Sequence, residues 1–308
     1  MGKDLLGATV LITGGTGSLG KALARRILDQ KPKKLIIFSR DEFKQSEMAK
    51  EFPDSEIRFF IGNIRDSERL RQALDGVDYV IHAAALKQVP AMEYNPEEAV
   101  KTNVNGSMNV INACIERGVK KCVLVSTDKA VSPVNLYGAT KLCAEKLFIA
   151  ANAYNKTEFV CVRYGNVMGS RGSVIPLFQK LRDSGVRKIP ITSLEMTRFW
   201  ITLDEAVNLV MLALEVATGG RIIIPRAPAM KIIDVARAIM PDCEFEVIGV
   251  RAGEKIHEAL VLNDFENVSM VSLDCESHYE WSKPYTSDTA KQLDVDVFLS
   301  KIGDSHVQ

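Results

Sequence analysis

Apolar residues cluster in short unbroken blocks through the first half of the chain, at Thr9 to Thr13, Lys34 to Phe38, Ile57 to Ile61, Tyr79 to His82, Cys122 to Ser126 and Phe159 to Arg163. Blocks of this length without period-two alternation read as strands buried on both faces, the habit of parallel sheets. Helical patterns lie between them, such as Leu19 to Leu28 and Glu97 to Arg117, the second closed by Gly118 as a C-terminal cap. The rhythm predicts an α/β fold with a doubly wound parallel sheet.

Beyond Arg163 the rhythm breaks. The segment Tyr164 to Arg198 is rich in Gly, Ser, Pro and Arg, and then Thr202-Leu203-Asp204-Glu205 has the form of a capping box opening an amphipathic helix that stops at Gly219-Gly220. That helix and a strand from Arg221 to Ile224 are expected to rejoin the sheet. The division predicted is a sheet domain of residues 1–166 plus about 200–226, and a smaller substrate lobe of about 167–199 plus 227–308.

A chain of 308 residues with 46% hydrophobic content is ordinary for a globular protein with a full core. Lys plus Arg and Asp plus Glu balance at 39 each, so no net field draws nucleic acid or an anionic membrane, and neither is expected as a partner. A local anion site stays open. Six widely spaced cysteines without a C-x-x-C pair read as reduced thiols, and four scattered histidines suggest no metal site. A strand beginning near Ala8 leaves no room for a signal peptide. The most lipophilic helix pattern, Ala206 to Val216, falls far short of the ~20 residues of a membrane span. The expectation is a soluble, cytoplasmic protein.

The first block runs into Thr13-Gly14-Gly15-Thr16-Gly17-Ser18-Leu19-Gly20, a strand, a Gly-rich turn and a helix start. In that context the glycines allow close backbone approach, and the helix N-terminus suits the pyrophosphate of a dinucleotide. Gly14, Thr16, Gly17, Ser18, Leu19 and Gly20 are the candidate contacts. About twenty residues on, where an acid would hold the ribose of NAD or an Arg the 2′-phosphate of NADP, stand Ser39, Arg40 and Asp41, with Lys44 nearby. Ser39, Arg40 and Lys44 favour NADP. The plainer alternative is that Asp41 caps the following helix and Arg40 is a surface charge. Asn63 and Ile64 suit an adenine ring, and Ala83, Ala84 and Ala85 leave space for a flat cofactor, although both stretches could be plain packing. Asn103 is either an orienting amide or a satisfied core group.

Just past the fifth block come Thr127, Asp128 and Lys129, and eight to fourteen residues beyond them Tyr137 and Lys141, four apart and so on one helix face if Tyr137 opens a helix. Open α/β sheets place chemistry at such strand ends. For Tyr137 to act as a base near pH 7 its pKa must fall about three units, roughly 4 kcal/mol. Lys141 and a nicotinium charge are the expected sources. A hydride transfer needs only the Tyr and Lys, so an added acid and base point to a second reaction. Asp128 and Lys129 could instead be a structural ion pair.

With these residues the chain resembles the extended short-chain dehydrogenase/reductase superfamily, marked by T-G-x-x-G-x-x-G and Y-x-x-x-K on a Rossmann fold. Within it, Ser39-Arg40-Asp41-Glu42, Ala83-Ala84-Ala85-Leu86-Lys87, Ser126 to Ala130, Arg163 to Val167, Met196 to Trp200 and Gly253-Glu254-Lys255 are similar to the soluble UDP-N-acetylglucosamine 4,6-dehydratases of the C5-inverting type, which begin pseudaminic acid synthesis. The resemblance runs from about Thr9 to Leu262 and is weaker over 263–284. It implies NADP as cofactor, UDP-N-acetylglucosamine as substrate and a homo-oligomer, dimer or hexamer. Catalytic roles would fall to Tyr137 as the C4 hydroxyl base, Lys129 as the C5 base, protonated Asp128 as the acid for the C6 hydroxyl, Thr127 at the C4 oxygen and Lys141 at the ribose. Substrate contacts implied are Lys87, Asn166, Arg171, Arg198, Arg251 and Glu254. For Arg171 and Arg251 a surface salt bridge is the alternative. Competing functions are a UDP-sugar 4-epimerase, a non-inverting dehydratase and, more remotely, an NADP-sensing regulatory protein.

Overall fold

The computed structural model describes residues 5–53, 55–170, 172–215, 217–263, 265–275, 277–279 and 283–304. The six apolar blocks become β1 (Thr9–Thr13), β2 (Lys34–Ser39), β3 (Ile57–Ile61), β4 (Tyr79–His82), β5 (Lys121–Val125) and β6 (Glu158–Val162), all parallel and in the spatial order β3-β2-β1-β4-β5-β6. All of β1 is buried, as its unbroken TVLIT run requires of a strand covered by helices on both faces. The chain steps outward from β1 to β3 and returns to β4 on the other side of β1, so a crevice opens at the carboxyl ends of β1 and β4.

The strand Ile222–Pro225 pairs parallel with β6, as expected of the return to the sheet. The helix before it, Leu203–Glu215, opens with the capping box: the Thr202 N–H donates to Glu205 Oε2 at 2.7 Å and the Glu205 N–H to Thr202 Oγ1 at 3.1 Å. Two further strands differ from expectation. Val268–Val271 adds in parallel beside Ile222–Pro225 and His278–Tyr279 runs antiparallel at the edge. Residues given to the smaller lobe thus extend the main sheet to nine strands among the described residues. A four-residue run is too short to declare its partner, and Ile222–Pro225 would otherwise leave a buried edge unpaired.

The expected helix from Glu97 to Arg117 is three pieces, Pro96–Ala99, a π-helical Val100–Asn105 and Gly106–Arg117, with Gly118 as the left-handed cap. A second hydrophobic core, including Met168, Phe178, Ile189, Trp200, Val235 and Phe298, gathers the smaller lobe. There Thr197–Ile201 pairs with Ala229–Lys231 on one side and Asn166–Val167 on the other. Lys188–Ile191 pairs with Glu244–Val247.

Candidate active site

At the dinucleotide end, Gly14 holds φ +68°, and a Cβ there would stand 2.8 Å from Ala84 Cα. Only glycine lets the turn after β1 meet the chain leaving β4 so closely. The Ala84 N–H donates to Thr13 Oγ1 at 3.2 Å and fixes that contact. The helix Ser18–Leu28 starts at Gly17 with no side-chain cap, so its leading N–H groups are left for an external acceptor. Thr16 and Gly20 are buried, Ser18 and Leu19 partly so, and Ala83 to Ala85 line the opposite wall with small side chains.

At the end of β2, Ser39 is buried and its Oγ accepts from Gln45 Nε2 at 3.0 Å. Asp41 caps the helix Glu42–Glu51 by accepting from the Lys44 N–H at 3.0 Å, and its other oxygen lies 2.7 Å from Lys44 Nζ. These bonds to Lys44 hold the Asp41 carboxyl below the usual carboxylate range. The capping alternative is therefore realised for Asp41, Lys44 is turned to it, and Arg40 stands exposed beside them. Asn63 Oδ1 is spent on the Arg65 N–H at 3.1 Å, and Ile64 is buried. Asn103 is buried with its amide fully used: it accepts from the Leu86 N–H at 2.8 Å and donates to the Leu86 carbonyl at 2.9 Å and Thr140 Oγ1 at 3.0 Å. It ties the chain after β4 to the helix of Tyr137.

That helix spans Leu136–Ala151, capped by Asn135, which accepts from the Gly138 N–H at 2.8 Å. It packs tightly on the 3-10 turn Asp128–Ala130, for a Cβ on Gly138 would lie 2.1 Å from the Lys129 carbonyl. Thr127, Asp128, Lys129 and Tyr137 are thereby brought together. Asp128 is fully buried, and its Oδ1 accepts from Thr127 Oγ1 at 3.0 Å and Lys129 Nζ at 3.0 Å. Its Oδ2 is buried with no hydrogen-bond partner among the described residues. Burial pulls the Lys129 pKa down, but the Asp128 and Glu258 carboxylates overcome it and leave the ammonium above the usual lysine value. Burial outweighs the Lys129 charge and a hydrogen bond to Thr127 and leaves the Tyr137 phenol above its usual value, opposite to the lowering expected of a base near pH 7.

Lys141, one turn on from Tyr137, differs from expectation. Its ammonium donates to the Val125 carbonyl at 2.7 Å, and burial brings its pKa down to about 8. The ammonium charge that opposes the rise at Tyr137 here is Lys129's, while Lys141 is held at the end of β5 by the Val125 carbonyl.

Among the sugar-side residues, Lys87 is exposed and Asn166 sits in its short strand beside Trp200. Arg171 lies outside the described residues. Arg198 is buried and donates to the carbonyls of Thr197 at 2.7 Å, Ile256 at 3.1 Å and Lys255 at 3.0 Å. Arg251 and Glu254 pair with each other across one turn, Nε to Oε1 at 3.0 Å. The sequence reading missed Glu258, which is 3% exposed with Oε1 3.5 Å from Lys129 Nζ. Its one signal was a carboxylate directly before the apolar Ala259-Leu260-Val261, where a solvated acid is out of place.

The chain matches the family model described as polysaccharide biosynthesis protein over residues 10–277. It is 54% identical over 274 residues to a UDP-N-acetylglucosamine 4,6-dehydratase (inverting) of Campylobacter jejuni subsp. jejuni serotype O:2, covering 85% of this chain and 82% of the relative. It is also 44% identical to a UDP-glucose 4-epimerase of Rickettsia canadensis, over 83% of this chain and 78% of that one. Among solved structures it superposes on Pen from Bacillus thuringiensis with a TM-score of 0.89 at 38% identity, covering 99% of both chains.

Proposed function

The chain belongs to the polysaccharide biosynthesis protein family of extended short-chain dehydrogenases/reductases, and we propose that it is an NADP-dependent lyase that dehydrates UDP-N-acetylglucosamine across C5 and C6. The product is a UDP-2-acetamido-2,6-dideoxy-hexos-4-ulose, inverted at C5. The observation that carries this reading is the pair of half-buried Lys129 Nζ and fully buried Asp128 Oδ1, 3.0 Å apart, with the Lys129 charge acting on Tyr137. The similarity to the inverting dehydratase agrees with it.

A dinucleotide fits the Gly14 cradle, the uncapped helix at Gly17 and the small residues at Ala83 to Ala85. Asp41 is committed to its cap, which leaves Arg40 to meet a 2′-phosphate and favours NADP over NAD. When bound, the cofactor supplies hydride acceptance from C4 and its return to C6. Tyr137 takes the C4 hydroxyl proton with Thr127 beside it, and the resulting ketone acidifies the C5 proton. Passage of one proton across the 3.0 Å bond turns the ammonium of Lys129 and the carboxylate of Asp128 into an amine and an acid. Lys129 then takes the C5 proton and Asp128 protonates the leaving C6 hydroxyl, which returns the pair to its starting charges. Proton return to the opposite face of C5 completes the inversion.

The UDP-sugar would lie against the smaller lobe, with Asn166, Arg198, Arg251 and Glu254 nearest and Lys87 toward the sugar. We further read the protein as a cytoplasmic homo-oligomer, dimer or hexamer. The exposed apolar Met108 on the helix 106–117 and Tyr154, in the turn that follows the helix 136–151, support the association. No helix among the described residues is long and apolar enough to cross a membrane.

A second reading, UDP-sugar 4-epimerase, has the Rickettsia relative in its favour. It uses Tyr137 and Lys141 but has no need of Asp128 and Lys129. Incubation with UDP-N-acetylglucosamine in D₂O separates the two: dehydration deuterates C5 and removes the C6 hydroxyl, whereas an epimer that keeps that hydroxyl and carries no deuterium at C5 would exclude the dehydratase.

A further inference from the structure

The segment from Arg251 to Glu258 is fastened to the catalytic turn at several points. Asn135 Nδ2 donates to the Gly253 carbonyl at 2.8 Å, and Lys255 Nζ to the Val131 carbonyl at 2.6 Å. Arg198 holds the carbonyls of Lys255 and Ile256. Glu258 ends this segment, its N–H donating to Ser287 Oγ at 3.0 Å. Its Oε1 lies 3.5 Å from Lys129 Nζ and 4.0 Å from Arg198 Nε, and its Oε2 is 3.4 Å from Lys255 Nζ.

A carboxylate so buried is tolerated only when its charge is used. Lys255 and Arg198 are tethered to carbonyls as well, whereas the ammonium of Lys129 is shared between two carboxylates, Asp128 and Glu258. While it is the protonated acid for C6, Asp128 has no charge with which to hold Lys129. We propose that Glu258 is a positioning residue for the elimination: it holds Lys129 in place while Asp128 is the uncharged acid, and it favours proton transfer from C5 to Lys129 by stabilising the ammonium that forms. The proposal rests on the dehydratase reading.

The groups facing Lys129 are Asp128, Glu258, Arg198 and Tyr137. Removing the Glu258 charge leaves one carboxylate against one guanidinium, so the Lys129 pKa falls. The variant Glu258→Gln keeps the shape and loses the charge. In D₂O its deuterium incorporation at C5 is expected to slow by about 10- to 100-fold, with the acidic limb of the pH profile displaced by roughly one unit to lower pH. KM for UDP-N-acetylglucosamine and the rate of cofactor reduction at C4 are expected to stay within about twofold of wild type. Glu258→Asp should recover the wild-type pH profile with part of the rate, and it carries the test if the Gln variant does not fold. In a Lys129→Ala background, Glu258→Gln should change the residual exchange no further. Wild-type exchange and an unmoved pH profile in Glu258→Gln would overturn the proposal alone, as would equal losses in C4 oxidation and C5 exchange. Wild-type protein that exchanges nothing at C5 would remove the dehydratase reading and the proposal with it.

Discussion

Replacing Lys141 by Met should stabilise the protein at pH 7 while abolishing turnover. The buried ammonium, brought from 10.5 to about 8 by desolvation, is charged at neutral pH at a cost of about 2.5 units at 1.36 kcal/mol each, or about 3 kcal/mol. Loss of its 2.7 Å bond leaves the Val125 carbonyl unpaired, which costs about 1–3 kcal/mol. The net gain is about 1 kcal/mol, a rise in Tm of roughly 2 °C. The pH dependence is the sharper signature. Between pH 8 and 10.5 the unfolded lysine binds more protons than the folded one, so wild-type stability from this group rises with pH across that window and is lowest below it. The advantage of Lys141→Met should therefore shrink as the pH is raised from 7 to 10 and become a deficit. Chemical denaturation of both proteins across that range measures it. A difference in stability that does not change with pH, or one that grows as the pH rises, would refute the reasoning.

Asp128→Asn removes the proposed acid but leaves Tyr137 and Lys141, so cofactor reduction should persist while loss of the C6 hydroxyl slows about 10²- to 10⁴-fold, as followed by nicotinamide absorbance and NMR. Arg40→Ser should weaken NADP far more than NAD, shifting the ratio of their Kd values by about tenfold or more, measured by calorimetry. Glu145→Ala removes the carboxylate paired with the fully buried Arg163 guanidinium at 2.7 and 3.1 Å, leaving its 2.7 Å bond to the Leu260 carbonyl, and should cost about 3–5 kcal/mol in denaturant unfolding.

The main sheet was legible because doubly covered strands have no polar positions to interrupt them: β1 to β6 fall within a residue or two of the apolar blocks. The Gly-rich turn was equally plain, since only glycine satisfies both the positive φ of Gly14 and its approach to Ala84. The cluster of Thr127, Asp128, Lys129 and Tyr137 could be read because a strand end and a helix start separated by one short turn must lie together. Partners distant in the chain left no such trace. Val268–Val271 has an unremarkable composition that does not announce the edge it completes. The π-helical turns at Val100–Asn105 depend on where Asn103 finds Leu86 and Thr140. Lys141 was assigned to Tyr137 by helical spacing, but the Val125 carbonyl competes for it, and spacing along one helix cannot register a strand beneath. Glu258 reaches Lys129 through tertiary contact alone.

An NMR time course of UDP-N-acetylglucosamine with the wild-type protein and NADP in D₂O, run alongside Lys129→Ala and Tyr137→Phe, tests the division of labour most directly. The account predicts a 4-keto-6-deoxy product with inverted, deuterated C5 from wild type. It also predicts cofactor reduction without loss of the C6 hydroxyl from Lys129→Ala, and neither step from Tyr137→Phe. A wild-type product that is a C4 epimer with its C6 hydroxyl intact and no deuterium at C5 would contradict it.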